Sequence, residues 1–93
     1  MNNIIIVKIH TYIQPEYGRD YDNSYRYMIC DSVEKARKYF KQSYSGYNCK
    51  NDNDNYMSFS KYYRYEECSE IIVVDFITPT IISELVQTDN YYE

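Results

Sequence analysis

Eleven Ile and five Val stand against one Leu (Leu85) and one Ala (Ala36) in this 93-residue chain. That imbalance constrains the fold more than any motif does. Side chains branched at Cβ have one stiff χ1 rotamer and fit a pleated surface better than a helix, so the composition favours a sheet over a helical bundle. Fourteen Tyr and three Phe push the same way, and two Gly and two Pro are too few for a Pro/Gly-rich disordered chain. At this length there is room for one domain, expected over residues 1–89, with residues 90–93 as a mobile tail.

Hydrophobic spacing divides the chain in a regular order. Ile4 to Ile13 alternates as a strand, with Ile5, Val7, Ile9, Thr11 and Ile13 on the core face. Pro15 to Asn23 has turn chemistry and reads as a loop, followed by a second, antiparallel strand over Ser24–Cys30. Asp31 is placed to cap a helix, with Glu34 three residues on completing a capping box and Gly46 as the stop. Val33, Ala36, Phe40, Ser43 and Tyr44 form its inner stripe, and Lys35, Lys38 and Lys41 lie outside. Tyr47 to Asn55 is polar and Asn-rich, hence a loop. Tyr56–Tyr65 is a third strand, and Ile71–Ile77, the most hydrophobic run, is the central one. Thr78-Pro79 opens a second helix whose apolar side is Ile82, Leu85 and Val86. The expected fold is α+β in ββαββα order: a four-stranded, mainly antiparallel sheet with two helices on one face. Its core is expected to contain Ile5, Val7, Ile9, Phe40, Phe59, Val74, Phe76 and Leu85.

Catalytic and metal-binding kits are missing from the sequence. The openings Asp20-Tyr-Asp22 and Asp52-Asn-Asp54 resemble calcium loops, but both lack the glycine at position six and the flanking helix pair. Cys30, Cys49 and Cys68 are spaced evenly with no CxxC, and His10 is the single histidine, so no zinc site is expected. His10 lies mid-strand beside Lys8 and Tyr12 and reads as a surface or interface residue rather than a base. Two glycines in all leave nothing from which to build a phosphate cradle. The chain is expected to be non-enzymatic and to bind no cofactor and no metal.

Charge and tyrosine carry what functional signal there is. The net charge is −4, with seven acids and no base from Glu66 to Glu93, and four bases without an acid from Lys35 to Lys41. An acidic chain is poorly suited to nucleic acid and well suited to a basic protein surface. Fourteen phenols cannot all find partners inside so small a core. Tyr27, Tyr44 and Tyr63 are expected inside; the rest decorate the surface among Asp, Asn and Ser, the chemistry of protein-binding surfaces. A/T-rich codon usage, which favours Tyr, Asn and Ile, is an equal explanation of the excess. An N-terminus without a basic region predicts no signal peptide, and an odd cysteine count predicts reduced thiols in a cytoplasm. No run of apolar residues is long enough for a membrane-spanning helix.

In size, acidity and surface tyrosine the chain resembles, as a class, the small phage- or mobile-element-encoded inhibitors of bacterial defence, anti-CRISPR proteins among them. Many of these bind a nuclease where its guide or target would sit and offer carboxylates in place of phosphates. The resemblance implies a host-cytoplasmic protein whose partner is an effector with a basic nucleic-acid-binding surface. Asp20, Asp22, Asp52, Asp54, Glu66, Glu67 and Glu70 would be the phosphate surrogates, and Tyr21, Tyr25, Tyr56 and Tyr65 the anchors. Lys35, Lys38 and Lys41 would make a secondary contact with RNA or an acidic patch. The alternatives are a cytosolic small-ligand-binding or sequestering module, dimeric in one version, and a small phage structural component.

Overall fold

A computed structural model describes residues 4–77. Their order is β1 (Ile5–Pro15), β2 (Tyr21–Cys30), α1 (Val33–Ser43), β3 (Asn48–Asp52), β4 (Tyr56–Tyr63) and β5 (Cys68–Ile77). The strands form one antiparallel sheet in the order β2-β1-β5-β4-β3. The expected four strands and two helices are therefore corrected: among the described residues there are five strands and one helix, and the architecture is mostly β. The expected second helix, with Leu85, and the tail fall outside the described residues.

β5 is central, as its continuous apolar run requires. It pairs with β1 from Ile77 opposite Ile6 to Cys68 opposite Pro15, and with β4 from Asp75 opposite Tyr56 to Cys68 opposite Tyr63. Period-2 alternation sends Ile5, Val7 and Ile9 of β1 and Ile72, Val74 and Phe76 of β5 to one face, where Met57 and Phe59 of β4 join them. α1 lays Ala36 and Phe40 on that layer. Each fully buried Ile, Val or Phe contributes on the order of 1.5–3 kcal/mol of apolar transfer. Of the residues expected in the core, every one that lies among the described residues is there.

The fifth strand is the main departure. Asn48–Asp52 lies inside the stretch read as a loop, and none of its five residues is buried. A strand that buries nothing has no hydrophobic period to reveal it. It is held by backbone pairing to β4, from Asn48 opposite Ser60 to Asp52 opposite Met57, with an irregularity between Cys49 and Asn51. The Asn51 side-chain amide donates to the Ser58 hydroxyl at 2.7 Å. At the turn, the Asn53 carboxamide oxygen accepts from the backbone N–H of Asn55 (2.8 Å) and of Tyr56 (3.0 Å), an Asx turn that closes the hairpin.

Further boundaries move: β4 ends at Tyr63 rather than Tyr65, and β5 begins at Cys68 rather than Ile71. β1 continues to Pro15 and β2 begins at Tyr21, so the loop contracts to Glu16–Asp20, with Gly18 at φ 107°. The cap of α1 is Ser32, one residue after Asp31: its backbone is extended and its hydroxyl accepts the Lys35 N–H at 3.1 Å. With the cap at Ser32, the capping-box position falls to Lys35 rather than to Glu34. Asp31 instead pairs with the Lys35 ammonium at 2.9 Å.

Candidate partner-binding surface

The sheet divides the expected acidic site between its two ends. From the row holding Tyr56 to the row holding Tyr63 is roughly 20–25 Å at the rise of an extended strand. Asp52, Asp54 and Tyr56 stand at one end, in and beside the β3–β4 turn. Asp20, Tyr21, Asp22, Tyr65, Glu66 and Glu67 stand at the other, in and beside the β1–β2 and β4–β5 turns. Tyr25 is midway along β2, and Glu70 lies inside β5.

At the β3–β4 end the carboxylates are already occupied. Arg37 of α1 donates from Nε (2.9 Å) and Nη2 (2.7 Å) to Asp52, and Lys41 approaches the other carboxylate oxygen at 2.6 Å. Lys41 first, then Arg37, hold the Asp52 carboxyl below its usual range. Asp54 takes the remaining Arg37 nitrogen at 3.3 Å but is 85% exposed. The bases of α1 thus meet the acids of the hairpin within the molecule. Lys35 is paired with Asp31, and Lys38 makes no ion pair among the described residues.

Glu70 is likewise engaged. It accepts from the phenols of Tyr47 and, at 3.2 Å, of Tyr63. Burial first, and then the Glu70 carboxylate, push the Tyr47 phenol well above its ordinary value. Tyr44 packs against Phe59 with ring centres 5.1 Å apart and keeps the inner role expected of it, whereas Tyr63 is half-buried and lies outside the core cluster. Tyr27 does not keep that role: register sets it opposite Lys8, on the face away from α1, where it is exposed.

The opposite end is different. The Glu16 N–H donates to the Glu67 carbonyl at 3.0 Å, and the Tyr62 hydroxyl donates to the Glu16 carboxylate at 2.7 Å. These two bonds tie the turns together, and the Glu16 carboxylate raises the Tyr62 phenol. Around that strut, Asp20, Tyr21, Asp22, Tyr65, Glu66 and Glu67 are all exposed, Tyr65 completely. None of these four carboxylates makes an ion pair among the described residues. Glu67 (φ 51°) occupies left-handed backbone in the β4–β5 turn, and Asp22 (φ 61°) does so inside β2, at the irregularity between the Ser24–Thr11 and Tyr21–Ile13 pairs. Behind the turn, Cys68 is buried, and burial together with the nearby Glu66 carboxylate raises its thiol.

Sequence reasoning missed the strut of Glu16 and Tyr62, because it joins residues 46 apart. It also missed the stack on the face away from α1. The His10 ring lies 4.4 Å from Tyr25 and nearly parallel to it, with Tyr12 at 4.9 Å and Lys8 Nζ 5.3 Å above Tyr25. His10 Nε2 is 2.8 Å from the Asn23 side-chain oxygen. Period-2 alternation on β1 signals the Lys8, His10 and Tyr12 side; only the register with β2 brings Tyr25 to it.

No group of three or more His, Cys, Asp or Glu among the described residues could hold a metal, and no helix among them is long and apolar enough to cross a membrane. Comparison with protein-family models, with curated proteins and with solved structures gives no match for this chain.

Proposed function

We propose that this chain is a non-enzymatic protein-binding inhibitor, of the kind its class resemblance implies, and that it meets a basic nucleic-acid-binding surface on its partner. The observation that carries the reading is the end of the sheet formed by the β1–β2 and β4–β5 turns. There four carboxylates that make no ion pair among the described residues (Asp20, Asp22, Glu66, Glu67) stand beside exposed Tyr21 and Tyr65, in and beside two turns braced against each other. Turns held together hold their acids close to one another, where lysines and arginines can meet them as a group, and tyrosine supplies contact area with few rotors to freeze. Asp52, Asp54 and Glu70 are left out of the binding set, because internal partners hold them.

The experiment is affinity capture from host lysate with the wild-type chain and with an Asp20→Lys, Asp22→Asn, Glu66→Lys variant, followed by binding kinetics on the captured partner. Asn at position 22 removes the charge and still tolerates the left-handed backbone. The expected result is a nucleic-acid-handling protein whose association slows in the variant and with rising salt, and whose nucleic acid competes with the chain. Salt-independent association, equal for both chains, overturns the reading.

A further inference from the structure

The two edges of the sheet are built differently. β3 is five residues long, irregular between Cys49 and Asn51, and carries Lys50 and Asp52, which are devices that keep an edge from pairing. β2 has ten residues, and its register with β1 is unbroken from Ser24 to Cys30. That run, SYRYMIC, contains one charge (Arg26), no Pro and no Gly. Among the described residues no strand lies beyond it. Its side chains facing away from α1 are Tyr25, Tyr27 and Ile29, at 54%, 64% and 74% exposure. A long, regular, apolar edge presents a row of free backbone donors and acceptors to any matching strand.

We propose that the matching strand is β2 of a second copy, paired antiparallel about a two-fold axis through Tyr27, so that two five-stranded sheets join into one. A strand meeting its own copy must be self-complementary about the axis. An axis at Arg26 sets two guanidinium groups directly opposite each other, which is destabilising. An axis at Tyr25 draws the left-handed Asp22 into the ladder opposite Met28, sets Ile29 against Tyr21 beyond the irregularity, and sets Cys30 against Asp20, outside β2. An axis at Met28 runs Tyr25 against Asp31, past the end of β2. The axis at Tyr27 alone pairs the whole regular run with itself. Ser24 faces Cys30, Tyr25 faces Ile29, Arg26 faces Met28, and Tyr27 faces its own copy. Twice over, a Tyr meets an Ile across the join, with a Tyr pair at the centre, which are favourable cross-strand combinations. The join uses Ser24–Cys30 and leaves the acidic end free, so it does not depend on the function proposed above.

The test is sedimentation of the full chain over a concentration series under reducing conditions, with a cross-linking arm that reads the register. Wild type is expected to approach twice the 11.3 kDa chain mass. Tyr27→Lys and Ile29→Lys, at exposed positions that bear no packing load, are each expected to weaken the dimer about tenfold or more with the circular dichroism spectrum unchanged. Lys50→Glu on the other edge and Asp20→Lys are expected to leave it intact. In a Cys49→Ser background, Ser24→Cys is expected to form an intermolecular disulfide with Cys30 on oxidation, since the two lie too far apart along one extended strand to bridge within a chain. Arg26→Cys, offset from Cys30 in this register, is expected not to cross-link. A chain that stays monomeric at every concentration, or a dimer indifferent to Tyr27→Lys and Ile29→Lys, overturns the proposal. Cross-linking by Arg26→Cys in preference to Ser24→Cys overturns the axis at Tyr27.

Discussion

Arg37 on α1 and Asp52 on the edge strand β3 share two hydrogen bonds, from Nε at 2.9 Å and from Nη2 at 2.7 Å to one carboxylate oxygen. Lys41 approaches the second oxygen at 2.6 Å. The helix is thereby fastened to a strand that buries no side chain of its own. An Arg side chain fixes orientation as well as charge, so the contact ties the position of β3 to that of the helix.

Because its neighbours lower the folded pKa of Asp52, the stability it contributes is present above the ordinary carboxylate value near 3.8 and is lost as pH falls through the lower folded value. Asp52→Asn is expected to lower the melting temperature at neutral pH and to flatten the acid limb of a stability-against-pH curve. The loss should shrink in high salt, since the pair is partly exposed. Thermal unfolding of wild type and variant across that range is the check; parallel acid limbs would mean that Asp52 is not paired.

Tyr47 responds in the opposite direction. Its phenol is raised by burial and by Glu70, so its contribution is whole below the ordinary value of 10.0 and fades as pH rises through the higher folded value. Tyr47→Phe is expected to make the alkaline limb shallower, and absorbance titration should lose one late-ionising phenol. An unchanged titration would place Tyr47 in water.

Phe76 lies on the central strand, is 3% exposed, and belongs to the layer under α1. Phe76→Ala is expected to cost about 3–5 kcal/mol in urea denaturation. That is a large share of the stability available to a domain of this size. A cost below about 1 kcal/mol would show that the strand is not central.

The cap assignment separates two adjacent residues. Ser32→Ala removes the acceptor for the Lys35 N–H and is expected to cost about 1 kcal/mol. Asp31→Ala removes only an exposed pairing and should cost less. The reverse order, measured by denaturation of both variants, would return the cap to Asp31.

How much of this was legible in the sequence follows from what each segment buries. Ile5, Val7 and Ile9 and then Ile72, Val74 and Phe76 announce two strands and one core face, because a half-buried strand must alternate. Ala36 and Phe40 announce the helix stripe for the same reason at a different period. Asn48–Asp52 announces nothing: an edge strand with no buried residue is recruited through its backbone by β4, and backbone groups are the same in every residue. The candidate surface divides in the same way. Charge and tyrosine content are properties of the chain, and both were read directly from it. Which acids stay free is decided by which cations the fold brings near, and Arg37 reaches Asp52 across fifteen positions of sequence. Sequence alone determined the sheet-forming composition, the buried face and the acidic, phenol-rich surface, because these depend on local spacing and residue type. Tertiary structure alone decided the fifth strand, the internal neutralisation of Asp52 and the convergence of two turns on one end of the sheet, because each depends on contacts between residues far apart in the chain.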